Sequence, residues 1–341
     1  MKKTVCALSV ALFLIICGAV SADGIRRGID ICGQVLIPSL FPFLIFTSYL
    51  SECGFVESAA KILKKPARVL LKSGGEEAAV LLISMLSGYP SGAAMLGIMH
   101  KNGSLSKDRA QSAAYYCCSA GPAFVFTAIG QGILHSRQSA VILLSCHTLA
   151  TLITAFTVSR LSPCTISLDL GEHTRKTGGG LVTAVLSATK SMINICAFVA
   201  AFSAVSEIVS RLPLNKPVHA ALSCLLEVTG GCVSLSGVST YLPFYAAAAG
   251  FGGISVILQL NACAPDLDLH PLKLIAVRLF HAAVSFVLCF ILTGVFPQSV
   301  QTSSVEKSYF FSATPQLSFA LILLSAVYCA SILGLQSAKS E

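Results

Sequence analysis

The sequence predicts an all-α polytopic membrane protein, an inverted repeat of helix, re-entrant hairpin, broken helix and helix, with about eight spans and two hairpins. Three observations predict it. Of 341 residues, 55% are hydrophobic and 11% charged, and the mean hydropathy is +0.80; soluble domains carry about a quarter charged residues. Apolar segments recur near residues 5–22, 31–50, 77–99, 111–134, 139–160, 181–210, 218–236, 240–262, 272–296 and 317–336, most of them close to the roughly 20 residues that a spanning helix needs. Two of them, 77–99 and 218–236, are interrupted at their centres and hold matching places in the two halves of the chain.

Segment 5–22 follows Lys2 and Lys3 and ends in small residues, as a secretory signal would. In a polytopic chain we read it as an uncleaved first span within an N-terminal unit, 1–30. Segment 31–50 opens a first repeat, 31–160. Within 77–99 lies "ISMLSGYPSGAAML" (83–96), where Gly88, Pro90 and Gly92 interrupt any helix and Ser87, Tyr89 and Ser91 add hydroxyls. Non-helical backbone at membrane depth is tolerated only where protein buries it or it lines a wet cavity. Arms of about nine residues, 78–86 and 93–100, reach about 13 Å each, less than half of a roughly 30 Å hydrocarbon core. A re-entrant hairpin with its tip near the midplane follows; a kinked spanning helix is the alternative. Segment 111–134 breaks at Gly121-Pro122, and 139–160 closes the repeat. A cytoplasmic linker, 161–180, leads to a second repeat, 181–296. There 218–236 breaks at "EVTGG", with Gly230 and Gly231, and 240–262 breaks at Gly252-Gly253. A last span and tail occupy 297–341.

Charge placement supports the hairpins. The net charge is +8, and membrane proteins gather Lys and Arg in cytoplasmic loops, so no nucleic-acid partner is implied. If all ten segments cross, the cations divide poorly between the two sides. If 77–99 and 218–236 return to the side they entered, the basic loops 51–76, 100–110 and 160–180 all become cytoplasmic, as do both termini. The halves also echo each other: "FLIFTSYLSE" (43–52) lies over "FVAAFSAVSE" (198–207), and "SAGPAFVFTAIGQ" (119–131) over "AGFGGISVILQ" (249–259). One copy begins outside and the other inside. Interrupted segments at matching positions of inverted halves point to a transporter's substrate site.

Ionisable residues inside spans are functional candidates by default. Lys190 and Arg278 are the expected carboxylate partners of an anionic substrate, Arg as a bidentate fork and Lys as a point charge. The alternative is that Arg278 simply neutralises Glu227. Glu207, near a span end, reads as interfacial. Ser87, Tyr89, Ser91, Ser119 and Thr229 would add hydrogen bonds. The half-helices starting after Gly92, after Gly121-Pro122 and after Gly252-Gly253 would aim unpaired N–H groups at the same cavity. Glu227 suits a coupling proton or Na⁺; no other cofactor is expected. The 14 cysteines and 7 histidines show no metal-ligand spacing, and cysteine in apolar runs behaves as a small hydrophobe. There is no H-E-x-x-H, Ser-His-Asp set or paired acidic motif, which argues against an enzyme.

The strings "SGYPSGA", "YYCCSAGPAFVFTAIGQGIL", "EVTGG" and "GFGGISVILQ" together resemble the sporulation integral membrane proteins, a branch of the nucleoside-recognition or gate-domain membrane proteins. The resemblance covers about 33–297. "CCSAGP" departs from the Cys-Asn that many members carry before Ser-Gly-Pro, which weakens a polar role there. The resemblance implies a bacterial inner membrane, of the cell or the forespore, and a fold related to concentrative nucleoside transporters. It further implies transport of dipicolinic acid, a small aromatic dicarboxylate, during endospore formation. A nucleoside or other neutral metabolite is the alternative substrate, and a non-transporting membrane scaffold the alternative class. Expected partners are the anion and the lipid bilayer, with a homo-oligomer or other sporulation membrane proteins left open.

Overall fold

In a bilayer every backbone N–H and C=O must find its partner within the protein, and a helix does this within one segment. This chain takes that solution. A computed structural model describes residues 18–161 and 180–295, which are helical with no strand among them. They fall in one compact unit, Met1–Gln301. The expected span at 5–22, most of the linker 161–180, and the final span and tail lie largely or wholly outside the described residues.

The first run joins α1 (Gly18–Ile31) to α2 (Ile37–Glu52) through a π-helical turn at Cys32–Leu36. Sequence reading separates 5–22 from 31–50, yet residues 23–30 are helical. Gly24 and Gly28, one turn apart, explain it: a Cβ on either would collide with the backbone of a long partner helix, at Ala204 Cα (2.6 Å) and Ala200 Cα (2.7 Å). This is the small-residue crossing that lets membrane helices approach closely. Arg27 of the same segment pairs with Glu207 at 2.7 Å. Glu207 also takes Arg211 at 3.2 Å and is 5% exposed, so it is a buried double ion pair, not a free interfacial group.

Next come an amphipathic helix, α3 (Phe55–Leu70), and two short ones, α4 (Gly75–Ser87) and α5 (Ser91–Lys101). The chain folds back between α4 and α5: a Cβ on Gly92 would lie 2.8 Å from Ser84 Cβ, whereas eight residues along a straight helix would separate them by about 12 Å. After α6 (Lys107–Ala114) and a non-helical stretch, α7 (Ala123–Ile133) is π-helical, and α8 (Arg137–Leu161) closes the first half. The second half holds α9 (Gly180–Ser210), short helices α10 (Lys216–Leu226) and α11 (Val228–Ser236), the broken pair α12 (Leu242–Phe251) and α13 (Gly253–Cys263), and α14 (Pro271–Val295), with no counterpart of α3 among the described residues. A Cβ on Gly231 would strike the Cys224 backbone, so α10 and α11 also fold back on each other.

Among the described residues, five helical runs are long and apolar enough to cross a membrane: Gly18–Glu52, Arg137–Leu161, Gly180–Ser210, Leu242–Cys263 and Pro271–Val295. The arms of both hairpins are too short to do so. The halves are tied at their ends by Lys101–Asp266 (2.8 Å), by Lys107–Asp268, and by Gln111 donating to the carbonyls of Leu267 (2.8 Å) and Asp268 (3.0 Å). The hydrogen bond from Lys101 holds the Asp266 carboxyl below its ordinary range.

Candidate functional site: two hairpin tips at one cavity

The first hairpin tip turns at a glycine and the second at Glu227, whose backbone is extended. At the first, Gly88 adopts φ +83°, a conformation that side-chain-bearing residues rarely take. Its missing Cβ lets the tip lie against the break before α7: a Cβ on Gly88 would be 2.8 Å from Gly121 N, and one on Gly121 would be 2.9 Å from Gly88 N. The second half uses the same device. Gly253 (φ +86°) opens α13, and a Cβ there would sit 2.8 Å from Leu226 O and 3.0 Å from Glu227 Cα. In each half, therefore, a glycine at the broken helix receives the backbone of that half's hairpin tip.

The two tips meet. Ser87, Gly88 and Tyr89 from one, and Glu227, Val228 and Thr229 from the other, line one cavity of about 30 Å³. Gly121 and Phe124 of the first break and Gln259 of α13 contribute, with Leu36, Leu40 and Leu44 as an apolar wall. A void of that size holds a water or two; a solute of ten or more heavy atoms requires the tips to separate.

Glu227 is 5% exposed and caps α11 with its own side chain. Its Oε1 accepts from Thr229 N (2.8 Å) and its Oε2 from Gly230 N (2.7 Å). A buried carboxylate is thus placed on the positive end of a half-helix. At this helix start the protein supplies the anion itself. At the other tip the Ser87 and Ser91 hydroxyls are in short contact, Ser87 Oγ also lying within hydrogen-bond reach of Ile83 O (2.8 Å) and Ser91 Oγ of Gly88 O, so their two protons are shared among three contacts. The Tyr89 hydroxyl is buried without a hydrogen-bond partner, and its ring lies 6.4 Å from that of Phe124.

Arg278 does not line the cavity. It is 1% exposed and stands behind Tyr89, its guanidinium carbon 5.9 Å from that ring's centre. Its donors go to the carbonyls of Phe251 (3.0 Å), Ala249 (3.5 Å) and Cys118, and to His281 Nδ1 (3.2 Å). Phe251 ends α12, where helix carbonyls lack partners and carry partial negative charge; Cys118 lies in the first half's break. Arg278 is thus a clamp between the two broken helices, and it forms no ion pair with Glu227. Ser119 is likewise behind the cavity, bonded to His147 Nε2 (3.1 Å) and Thr151 Oγ1 (2.9 Å). His147 also accepts from Ala120 N (3.0 Å), and its ring stacks 4.7 Å from that of His281.

Lys190 is not brought to the site. It is exposed on α9, roughly opposite the buried positions Ala188, Met192, Ile195 and Val199 that face the interior. Of the breakers, Pro122 precedes α7, Gly92 packs on Ser84 and the Cys117 carbonyl, and Gly252 (φ +82°) ends α12. Sequence reasoning missed the His147–His281 pair as a site element, although both were ionisable residues in spans and so carried the signal that singled out Arg278. It also missed the buried ion pair of Arg109 with Glu77, Nε–Oε1 2.7 Å and Nη2–Oε2 2.8 Å; Arg109 read as a charge of the loop 100–110, and Glu77 is the first residue of the segment 77–99.

Over 138 residues the chain is 28% identical to the "Sporulation integral membrane protein YlbJ" of Bacillus subtilis (strain 168). The chain has a sporulation integral membrane protein as a relative. The match takes in 40% of this chain and spans about a third (34%) of the relative's length. No family model matches the chain, and no solved structure matches it.

Proposed function

We propose that the chain is a membrane transporter of a small polar solute, with dipicolinate, the dicarboxylate implied by the family resemblance, as the first substrate to test. The observation that supports this reading best is the meeting of two helix breaks, Ser87–Tyr89 and Glu227–Thr229, at one cavity. Interrupting a helix in a membrane leaves backbone groups to be satisfied elsewhere, and transporters use such interruptions to build a midplane site. The glycine contacts make each hairpin and its broken helix one packing unit, so the tips can part by motion of one unit against the other. The half-helix starts of α5, α7 and α13 would offer N–H groups to an anion. Glu227, the carboxylate at the cavity, is the position for a coupling proton or Na⁺. The reading is one of transport without chemical conversion, in a bacterial inner cell or forespore membrane with both termini cytoplasmic.

One observation favours a second reading. The polar groups at the cavity are hydroxyls, an amide and a carboxylate, while Arg278 spends its donors on carbonyls. That lining suits a neutral, hydroxyl-bearing metabolite such as a nucleoside. Proteoliposomes holding the full chain, assayed for uptake of dipicolinate and of uridine, separate the readings. Movement of either identifies the class. Movement of neither overturns the transporter reading and leaves the membrane scaffold.

A further inference from the structure

Helix α3 carries three distinct faces. Val56, Ala59, Ala60 and Ala67 are buried against α4, with Ala79 and Ile83. Lys61, Lys64, Lys65 and Arg68, at i, i+3, i+4 and i+7, form one exposed ridge roughly opposite. Lys72 continues it past the helix end. None of the five makes an ion pair among the described residues. Between ridge and buried face runs a third strip, Ile62 and Val69 at i and i+7, which are 79% and 70% exposed. Apolar side chains so exposed beside unpaired cations fit neither a protein interior nor open water.

Both ends of α3 lie where membrane helices end. The apolar stretch 31–50 is of spanning length and finishes just before Glu52; a two-residue turn with Gly54 at φ +75° then starts α3 at Phe55. At the other end, the Arg160 guanidinium donates to Val69 O at 3.1 Å and lies 4.2 Å over the Phe156 ring. Arg137 and Arg160 bracket the apolar part of α8, so Arg160 marks its membrane boundary. The 16 residues of α3, about 24 Å of helix, therefore connect the ends of two membrane helices and run along the bilayer surface.

We propose that α3 is a surface-lying helix whose Ile62–Val69 strip enters the acyl boundary and whose Lys61–Lys64–Lys65–Arg68 ridge binds anionic phospholipid headgroups. A basic ridge beside an apolar strip is the pattern of helices that lie in the interface of anionic membranes. Each cation held near such a surface raises association roughly fivefold.

The chain contains no tryptophan, so Ile62→Trp gives a lone reporter at an exposed position. The full-length variant is reconstituted in phosphatidylcholine vesicles carrying a minor share of brominated phosphatidylglycerol or, as control, the same share of brominated phosphatidylcholine. The expected result is quenching by both, several-fold stronger with brominated phosphatidylglycerol. That excess should fall with salt and vanish when Lys61, Lys64, Lys65 and Arg68 are all changed to Gln. Thermal unfolding of that variant, whose changes are all at exposed positions, checks that it is folded. Equal quenching by the two lipids overturns headgroup recognition, and so does an excess that survives the Gln changes. Quenching by neither, with aqueous iodide reaching the Trp, overturns the placement and turns the ridge toward an acidic protein segment.

Discussion

Replacing Arg278 by Ala should destabilise the fold before it affects any solute. The guanidinium is buried and gives hydrogen bonds to the carbonyls of Phe251 and Cys118, with Ala249 more distant. Removing it leaves two closely held carbonyls, one from each half's broken helix, without a donor. A buried polar group stripped of its partner costs about 1–3 kcal/mol, so the two together cost about 2–6 kcal/mol. At about 2 °C per kcal/mol, the lower end of the scale as suits a chain of 341 residues, the purified variant should unfold roughly 4–12 °C lower. The assay is thermal unfolding in detergent, followed by the loss of helical signal. Arg278→Lys keeps the charge but not the planar fork and should recover part of the loss. If Arg278→Ala unfolds with the wild-type protein yet loses solute flux, the clamp reading is wrong and the residue acts on the solute.

Glu227→Gln keeps the shape of the α11 cap but has one acceptor oxygen where the carboxylate has two, each holding an N–H. It should cost about 1–2 kcal/mol of stability in the same unfolding assay and abolish ion-coupled uptake in proteoliposomes. Arg109→Ala strands the buried Glu77 carboxylate and should cost about 3–5 kcal/mol, whereas Arg109→Met with Glu77→Leu should recover much of this, since a buried pair removed as a whole is often near neutral. Gly92→Ala sets a methyl against Ser84 Cβ at 2.8 Å and the Cys117 carbonyl; forcing the hairpin arms apart should cost about 1–3 kcal/mol. With native cysteines replaced, single cysteines at Lys72 and Asn102, on either side of the first hairpin, should be labelled from the same side of the membrane; labelling from opposite sides would mean a kinked span.

The sequence was most informative where chemistry acts locally. Gly88 and Gly253 announce their breaks because only glycine is comfortable at their backbone angles. Ser87, Tyr89, Glu227 and Thr229, all marked in the sequence by the interruptions beside them, line one cavity. What could not be read was the direction in which each side chain points. Lys190 and Arg278 look alike as charges within apolar runs, but only the packing face of α9 against that of α14 decides that one is exposed and the other buried. Likewise, nothing local tells that Arg278 meets the carbonyls of Cys118 and Phe251, which lie 160 and 27 residues away. The continuity of α1 with α2 was hidden because Gly24 and Gly28, poor helix formers on their own, are helical through close packing on α9.

Ser87–Tyr89 and Glu227–Thr229 line one cavity, and transport requires them to face one solute path. The most direct measurement places a single cysteine at Thr229, with native cysteines replaced, and follows its reaction with a water-soluble thiol reagent in proteoliposomes. The account predicts slow labelling that the transported solute suppresses, whether that solute is dipicolinate or a nucleoside. Labelling that no transported solute slows, or no labelling at all in a protein that sustains flux, would contradict it.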